Sequence, residues 1–285
     1  MLTTAPWQMS YGERAAVEGV LGQLRPRLAL EIGTAEGGSL RRIAAHSEHV
    51  HSFDLVPPSA ELAGLANATF HTGDSHVLLP QVLEELAVAG KDVDFVLVDG
   101  DHSADGVRGD LDDLLSSQAL RRTIVLLHDT MNPDVRRGIE DFNLAGDKRV
   151  AFFDLDFLPG YLARGDPYRL QLWGGLGLIV VDADRAAAQG GAISDDRFHS
   201  LFTLTCPMAE LMAEIEARGT SLAELQGSAL EDELRAEVVG RNAELVRSTQ
   251  LVQRLEGSLS WRVTGPLRAL KRYLLNRDGR ARNEE

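Results

Sequence analysis

The chain has 285 residues, of which 44% are hydrophobic and 25% charged, and its 43 acidic and 29 basic side chains give a formal net charge of −14. This composition is typical of a globular protein with one substantial domain and an appendage, or with two modest domains, and it excludes a disordered chain. Because an acidic surface repels phosphate backbones, we expect no nucleic acid partner. Cys206 is the only cysteine, which excludes an intrachain disulfide and a cysteine-based zinc cluster and favours a reducing, cytoplasmic location.

Membrane insertion is not expected from the sequence. The segment Met1–Gln8 lacks a basic start followed by an apolar stretch, and no run approaches the ~20 apolar residues of a membrane span. We therefore expect neither an export signal nor an integral membrane protein.

Short apolar runs rich in Val, Ile, Leu and Phe alternate with segments of helical periodicity from about Gly12 to Asp184. This alternation predicts parallel strands joined by crossover helices. After the fourth run, for example, Val107, Leu111 and Leu114 lie on one face of a helix. The predicted strands are Leu28–Ile32, Val50–Asp54, Thr69–Thr72, Val93–Asp99 and Thr123–Leu127.

Two further apolar stretches, Val150–Leu155 and Leu170–Val181, lie close together along the chain and predict a terminal antiparallel pair that closes the sheet. The expected fold class is therefore α/β, with a Rossmann-like, mostly parallel seven-stranded sheet, a terminal antiparallel strand and a helical C-terminal extension. We expect the α/β domain to span residues 1–195, the helical segment 196–256 and a basic tail 257–285.

The expected helical segment has an apolar residue at every seventh position, namely Val238, Leu245, Val252 and Leu259. A repeat of this length is compatible with a short coiled coil, which would support a homodimer. It is equally compatible with an amphipathic helix packed against its own domain.

The expected tail is strongly basic, with seven arginine or lysine residues and one aspartate between Gly257 and Arg282. Leu267, Leu270 and Leu274 form an apolar row beside these charges. The pattern predicts an anionic partner, such as a membrane surface or a lipid-linked substrate. The alternative is a solvated tail that balances the acidic body of the protein.

The first predicted strand leads into a loop, Glu31–Ser39, which we call the glycine loop. Gly33 and Gly37 let the backbone turn tightly and let a ligand approach peptide N–H groups. Asp54 follows Gly33 by 21 residues, near the roughly 20-residue spacing at which an acidic side chain reaches ribose hydroxyls. The glycines alone would also fit a simple turn, but together with Asp54 they favour a nucleotide-type ligand.

Polar residues also end the third and fourth predicted strands, at Asp74 and in the segment Asp99–His102. Each aspartate taken singly would also fit a helix N-cap. Ligands of open α/β sheets bind outside the carboxyl ends of the strands. The whole row of polar strand ends therefore predicts a ligand site at this edge of the sheet.

The glycine loop, together with Asp54 and Asp74, resembles the class I S-adenosylmethionine (SAM)-dependent methyltransferases. The blocks Val96–Ser103 and Ile124–Thr130 are most similar to the small-molecule O-methyltransferase branch of that family. This branch includes catechol, caffeoyl-CoA and macrolide-sugar enzymes. The resemblance covers roughly residues 28–181 and implies SAM as the cofactor.

By this resemblance, Glu31 would bind the ammonium group of the cofactor or order the glycine loop. Asp54 would accept hydrogen bonds from the ribose hydroxyls, and Asp74 would lie near the adenine amine. The implied cofactor-binding residues are Glu31, Gly33, Thr34, Gly37, Ser39, Asp54, Asp74 and Asp99.

The resemblance also implies a divalent cation, Mg²⁺ or Mn²⁺, held by Asp99 and Asp129 together with His128. Relatives have an acidic pair where this chain has His128 and Asp129, and an imidazole ligand shifts the preference away from Mg²⁺. The alternative for His128 is a position behind the ligands or facing the substrate.

His102 matches the position of the general base in the sugar methyltransferases that the chain resembles. With an ordinary pKa of about 6.5, a histidine is largely neutral at pH 7 and accepts a proton. The alternative is a histidine at a helix start that is bonded to the backbone.

Three further segments bear on the acceptor. Asp154–Gly160 and Trp173–Gly177 also resemble this branch, and they are predicted either as paired strands alone or as walls of the acceptor pocket. The tail segment Ser258–Arg268 resembles a short motif of bacterial enzymes that assemble surface polysaccharides and glycolipids. That likeness favours a saccharide acceptor.

We therefore predict SAM-dependent O-methylation of a small polyhydroxylated acceptor, such as a sugar hydroxyl of a glycan, glycolipid or glycosylated metabolite. One alternative is a non-catalytic methyltransferase fold that recruits partners. Another is an NAD-dependent oxidoreductase, although the glycine spacing usual for that class, Gly-x-Gly-x-x-Gly, is absent from the glycine loop.

Overall fold

The structure, a computed structural model, describes residues 7–165, 167–184, 193–194 and 201–217. The chain forms two compact units that divide between Cys206 and Pro207. The predicted coiled coil and the predicted basic tail lie outside the described residues, so the domain limits expected from the sequence stay predictions.

The centre of the first unit is a β-sheet with the strand order β10-β6-β9-β5-β4-β1-β2-β3. Two further strands, β7 and β8, pair separately as an antiparallel hairpin. In chain order the strands are β1 (Leu28–Ile32), β2 (His49–Asp54), β3 (Ala68–Thr72), β4 (Phe95–Val98), β5 (Arg122–His128), β6 (Val150–Leu158), β7 (Tyr161–Leu162), β8 (Leu172–Trp173), β9 (Leu176–Asp182) and β10 (Ile193–Ser194).

Helices connect most of the parallel strands and cover the sheet. None of the helices in the described part of the chain is long and apolar enough to cross a membrane. They are α1 (Tyr11–Leu24), α2 (Gly38–His46), α3 (Ala60–Ala63), α4 (Ser75–Val88), α5 (Ala104–Ser116), α6 (Pro133–Asp141) and α7 (Leu201–Ala217), with a 3₁₀ turn at Leu144–Gly146.

The predicted fold class is confirmed. The strands β1 to β5 pair in parallel, and β9, the last of the seven longer strands along the chain, lies antiparallel between β5 and β6. The sheet also has the two-residue strand β10, which pairs with β6. The predicted strand Leu170–Val181 is divided into β8 and β9, because Gly174 and Gly175 have φ values of 72° and 88° and turn the chain between them.

The core lies between the central strands and the helices that pack on them. Leu30 of β1 and Val96 of β4 are fully buried, as are Leu79 and Leu83 of α4 and Leu111 of α5. Helices on both faces explain why the central strands are continuous apolar runs rather than alternating ones.

The order of the strands places a ligand site at one edge of the sheet. β1 pairs with β2 on one side and with β4 on the other, so the chain reverses its direction of winding at β1. A crevice opens at the carboxyl ends of the strands at such a switch point.

Candidate active site

A cavity of about 730 Å³ lies at the carboxyl edge of the strands β1 to β5. Its volume is within the range of roughly 300–1,000 Å³ that is typical of small-molecule sites. It brings together most of the residues that the sequence predicts for the cofactor. Those that line it are Gly33, Thr34, Ser39, Asp54, Asp74 and Asp99, with His102, His128 and Asp129.

The glycine loop lies directly against the end of β4. Gly33 has a φ of 90°, and a Cβ at this position would lie 1.9 Å from the carbonyl oxygen of Asp99. Gly37 has a φ of 74°, and a Cβ there would lie 2.4 Å from the side chain of Leu62. Both positions therefore require glycine, and Gly37 supports the loop without lining the cavity.

The carboxylate of Asp54 holds the glycine loop in place. Its Oδ2 accepts hydrogen bonds from the backbone N–H groups of Thr34 and Ala35, each at 2.9 Å, and its Oδ1 accepts one from Val56 at 2.8 Å. An ionised carboxylate has about four lone-pair sites, so one stays available for a ligand. Asp54 thus orders the loop in addition to lining the cavity where a ribose is expected.

Glu31 lies beneath the loop rather than in the cavity. The side chain is fully buried, and its two oxygens accept hydrogen bonds from the hydroxyls of Ser39 at 2.6 Å and Ser52 at 2.9 Å. Burial raises the pKa of Glu31 to about 8 against the opposing effect of these hydroxyls. Of the two predicted roles, this geometry favours ordering the loop over binding the ammonium group.

Asp74 caps the first turn of α4. Its Oδ1 accepts a hydrogen bond from the backbone N–H of His76 at 3.0 Å. The interpretation of Asp74 as a helix N-cap is therefore correct. The same side chain also lines the cavity, next to Gly73 and Ser75. The other carboxylate oxygen, Oδ2, takes no part in the cap and is available to a ligand.

In the same cavity, Asp99, His102 and Asp129 place ligand atoms within 4.8 Å of one another. We call these three residues the candidate cation centre. The Nε2 of His102 lies 2.9 Å from Oδ2 of Asp129 and 3.6 Å from Oδ1 of Asp99. It is buried yet makes no aligned hydrogen bond. Two carboxylates and an imidazole nitrogen without a hydrogen bond fit a divalent cation such as Mn²⁺ or Mg²⁺.

His128, which the resemblance implies as a cation ligand, lies behind this group. Its side chain is 4% exposed, with Nδ1 at 2.9 Å from Oδ1 of Asp99 and 3.2 Å from Oδ2 of Asp129. Asp129 has a φ of 54°, and its carboxylate lies close to both imidazoles. The geometry therefore favours His102 as the nitrogen ligand and His128 as the residue that holds the two carboxylates.

The charges of the centre interact strongly. Burial opposes ionisation of Asp129, but His102 and His128 outweigh it and hold the pKa of Asp129 far below its ordinary value. Asp129 first and Asp99 second raise the pKa of His102 to about 9. Without a cation, a pKa of about 9 leaves His102 protonated at pH 7, whereas the general-base role predicted for it requires the neutral form.

The sequence did not predict two contacts beside the centre, one made by Glu13 and one by Gly174. Glu13 of α1 is 1% exposed and accepts hydrogen bonds from the backbone N–H groups of Ser10 at 2.5 Å and Gly175 at 2.6 Å. The N–H of Gly174 donates to Oδ1 of Asp129 at 2.5 Å. A capping box at Ser10 and Glu13 is visible in the sequence and predicts the start of α1, but it gives no sign of the contact with Gly175.

The lining of the cavity is acidic. It contains six carboxylates, and among the described residues that line it there is no lysine or arginine. The carboxylates are those of Glu36, Asp54, Asp74, Asp99, Asp101 and Asp129.

Residues 30–130 match the protein family described as a methyltransferase domain. The match runs from β1, through the glycine loop, to Thr130 just after β5, and so includes the candidate cation centre. Residues 30–130 are therefore similar to a methyltransferase domain, and the predicted class of enzyme, a methyltransferase, is confirmed.

Solved structures with a similar fold include two O-methyltransferases. One, from Bacillus cereus in complex with S-adenosylhomocysteine (SAH), is 17% identical, with 63% of this chain and 84% of that chain covered and a TM-score of 0.42. The other is TomG from Streptomyces achromogenes, involved in tomaymycin synthesis and in complex with SAM. It is 20% identical, with 62% of this chain and 83% of that chain covered and a TM-score of 0.43. No curated protein matches the sequence.

Proposed function

We propose that the protein transfers a methyl group from SAM to a hydroxyl of a small polyhydroxylated acceptor, with the assistance of a divalent cation. The acceptor hydroxyl belongs to a sugar of a glycan, glycolipid or glycosylated metabolite. One observation carries the proposal: a single cavity is lined both by the glycine loop with Asp54 and by the candidate cation centre.

The cofactor would lie along the glycine loop. The loop's peptide groups and Ser39 would face the methionine moiety, the free lone pair of Asp54 would accept from a ribose hydroxyl, and Asp74 would accept from the adenine amine. Glu31 and Gly37 would act from outside the cavity by keeping the loop in shape.

The methyl group moves by in-line displacement, so the protein must align the acceptor oxygen with the methyl carbon and the sulfur. Fixing that geometry supplies a large part of the rate. Asp99 and Asp129, which are themselves held by His128, would fix the acceptor end of this line. When bound there, a divalent cation would lower the pKa of the acceptor hydroxyl and hold it in place.

His102 has two roles open to it at this site. It can serve as the nitrogen ligand of the cation, or it can take the proton of the acceptor hydroxyl once the charge of Asp99 and Asp129 is neutralised and its pKa falls. In both roles the imidazole must lose the proton that it carries without a cation.

Location and partners follow from the sequence alone. We propose that the protein acts in the cytoplasm and that the basic tail docks on an anionic membrane surface or a lipid-linked substrate. We also propose that the helical segment supports a homodimer. Truncation after residue 256 would abolish binding to anionic vesicles if the tail is the docking element, and unchanged binding would reject it.

The test of the proposed function is transfer of radiolabelled methyl groups from SAM to a panel of hydroxylated acceptors, with Mg²⁺, Mn²⁺ or a chelator present. We expect transfer that needs a cation and that the Asp99→Asn variant loses. A protein that binds SAH but labels no acceptor under any of these conditions would instead be a non-catalytic methyltransferase fold.

A further inference from the structure

We infer that Trp173 of the hairpin β7–β8 and the neighbouring Tyr168 form the acceptor-binding surface, and that they take an uncharged sugar ring. This inference rests on the proposed function and adds the surface that binds the sugar and the charge that the sugar must have. We call Tyr161, Tyr168 and Trp173 the aromatic row.

The aromatic row begins at the candidate cation centre. The ring of Trp173 meets the ring of His102 edge to face, with 5.5 Å between centroids and an angle of 84° between the planes. Tyr168 meets Trp173 in turn at 5.0 Å and 63°. The indole N–H of Trp173 donates to the side-chain oxygen of Gln171 at 3.0 Å and so fixes the ring. A molecule lying on these rings would be next to His102.

The hairpin is held to the centre by its backbone. The N–H of Gly174 donates to Asp129, and the carbonyl oxygen of Gly174 accepts from the N–H of Met131 at 3.0 Å. The chain is also packed closely at Gly160, where a Cβ would lie 2.2 Å from the carbonyl oxygen of Trp173. Trp173, which directly precedes Gly174, is therefore fixed in position relative to the carboxylate of Asp129.

The aromatic row has free surface for a ligand. The side chains of Tyr161 and Tyr168 are each 52% exposed. Exposed aromatic rings bury large apolar areas on binding while their polar groups stay hydrated, which suits a ligand with one apolar face and a polar rim. The C–H face of a pyranose ring has this character.

The charge of the neighbouring cavity selects among ligands with such a face. Its six carboxylates are hydrogen-bond acceptors only, so a good ligand must supply several donors. The six carboxylates outnumber the three histidines of the lining, His76, His102 and His128, so the lining keeps a net negative charge even when all three are protonated. A phosphorylated sugar, an acyl-CoA or a carboxylate is therefore disfavoured, because like charges oppose each other across an interface. A neutral sugar supplies several hydroxyl donors, whereas an aromatic diol supplies only two. The observations therefore favour the neutral sugar.

Saturation-transfer NMR tests this inference on the full chain with SAH and Mg²⁺ present. The probes are methyl glucopyranoside, methyl mannopyranoside and methyl galactopyranoside, with the corresponding hexose phosphates and catechol for comparison. We expect at least one neutral pyranoside to bind and the hexose phosphates not to bind. The Trp173→Ala and Tyr168→Ala variants should each weaken that binding by about tenfold. Tyr11→Ala, which removes a tyrosine that is 78% exposed and lies on α1, should leave it unchanged.

Calorimetric titration with SAH separates failure of this inference from failure of the proposed function. If the wild-type protein does not bind SAH, the proposed function fails. If it binds SAH but no neutral pyranoside, or if catechol binds in a way that depends on Trp173, the sugar assignment is overturned. Pyranoside binding that Trp173→Ala and Tyr168→Ala leave unchanged would overturn the assignment of the surface. If Trp173→Ala also loses SAH binding, that variant no longer reports on the acceptor surface, and pyranoside binding by Tyr168→Ala alone tests the assignment.

Discussion

The two carboxylates of Asp99 and Asp129 determine what the imidazole of His102 can do. They raise its pKa to about 9, and Asp129 is the larger cause. An imidazolium at pH 7 can neither bind a cation nor accept a proton from a substrate hydroxyl. A cation that binds at this centre would therefore displace a proton, and its affinity should increase with pH until His102 has lost its proton.

The first prediction concerns this coupling. In the chelator-treated protein, we expect Asp129→Asn to lower the pKa of His102 towards its ordinary value, because the substitution removes the largest cause of the rise. The measurement is an NMR titration of the His102 ring protons, assigned with a His102→Gln variant. Methyl transfer by Asp129→Asn should fall by at least about 100-fold. Identical titration curves for the wild-type protein and Asp129→Asn would contradict the account of the centre.

The second prediction concerns Gly33. Alanine at this position would put a Cβ against the backbone of Asp99 and force a φ of 90° on a residue with a side chain. We expect Gly33→Ala to lower the free energy of unfolding by more than ~2 kcal/mol and to abolish SAH binding. The measurements are urea denaturation and calorimetry.

Gly19 provides a matched control for that substitution. It is exposed in the interior of α1, and a Cβ there would have no neighbour within 4 Å. Gly19→Ala should therefore stabilise the protein by roughly 0.5–1 kcal/mol. Equal stability of the two variants would show that the glycine loop does not need Gly33.

The residues of the glycine loop could be predicted because they are close in sequence and their spacing has a known structural reason. The arrangement of His102 and His128 around Asp129 could not. The carboxylate that both imidazoles contact belongs to a residue with a φ of 54°, and nothing in the sequence marks a non-glycine residue for that conformation. The contact between Glu13 and Gly175 could not be predicted either, because 162 residues separate the two along the chain.

At the scale of elements, the edge strand β3 and its neighbour β2 are joined by histidines as well as by their backbones. The Nδ1 of His51 lies 2.8 Å from the Nε2 of His71, and the two ring planes are nearly parallel. Burial first, and then His71, His49 and Lys91, lower the pKa of His51 to about 4. Burial also lowers the pKa of His71. The pair is therefore neutral at pH 7, with one ring donating to the other.

The third prediction follows from this pair. The pKa of His51 in the folded protein is below its ordinary value of about 6.5, so the unfolded chain binds more protons between these two values. The stability that this histidine contributes is present above about pH 6.5 and is lost as the pH falls towards 4. Urea denaturation at pH 7, 6 and 5 should show a smaller loss of stability for His51→Gln than for the wild-type protein. Equal losses would contradict the assignment.

The sequence predicted most elements because each has a local signal. The stripe of Val107, Leu111 and Leu114 lies on α5 as predicted, and β1 has the predicted limits. The histidine pair had no such signal. It depends on the register in which Phe53 pairs with His71, and register is a property of two strands together.

At the scale of the whole molecule, the first unit places every strand end that carries a predicted site residue on one edge of one sheet. The alternation of strands and helices was sufficient to predict this, because parallel strands joined by crossover helices must have their carboxyl ends on the same side. The lining of the cavity is acidic, as is the chain as a whole. The roles of the helical segment and the tail are predicted from the sequence alone.

The fourth prediction concerns the cofactor and is the most direct test of the account. Calorimetric titration of the full chain with SAH and, separately, with NAD should be carried out before and after treatment with a chelator. We expect micromolar binding of SAH, no binding of NAD, and at least about tenfold weaker SAH binding for Asp54→Ala, which loses a charged hydrogen-bond partner of the ribose. Absence of SAH binding under both conditions, or binding of NAD in its place, would contradict the assignment of the cavity to SAM.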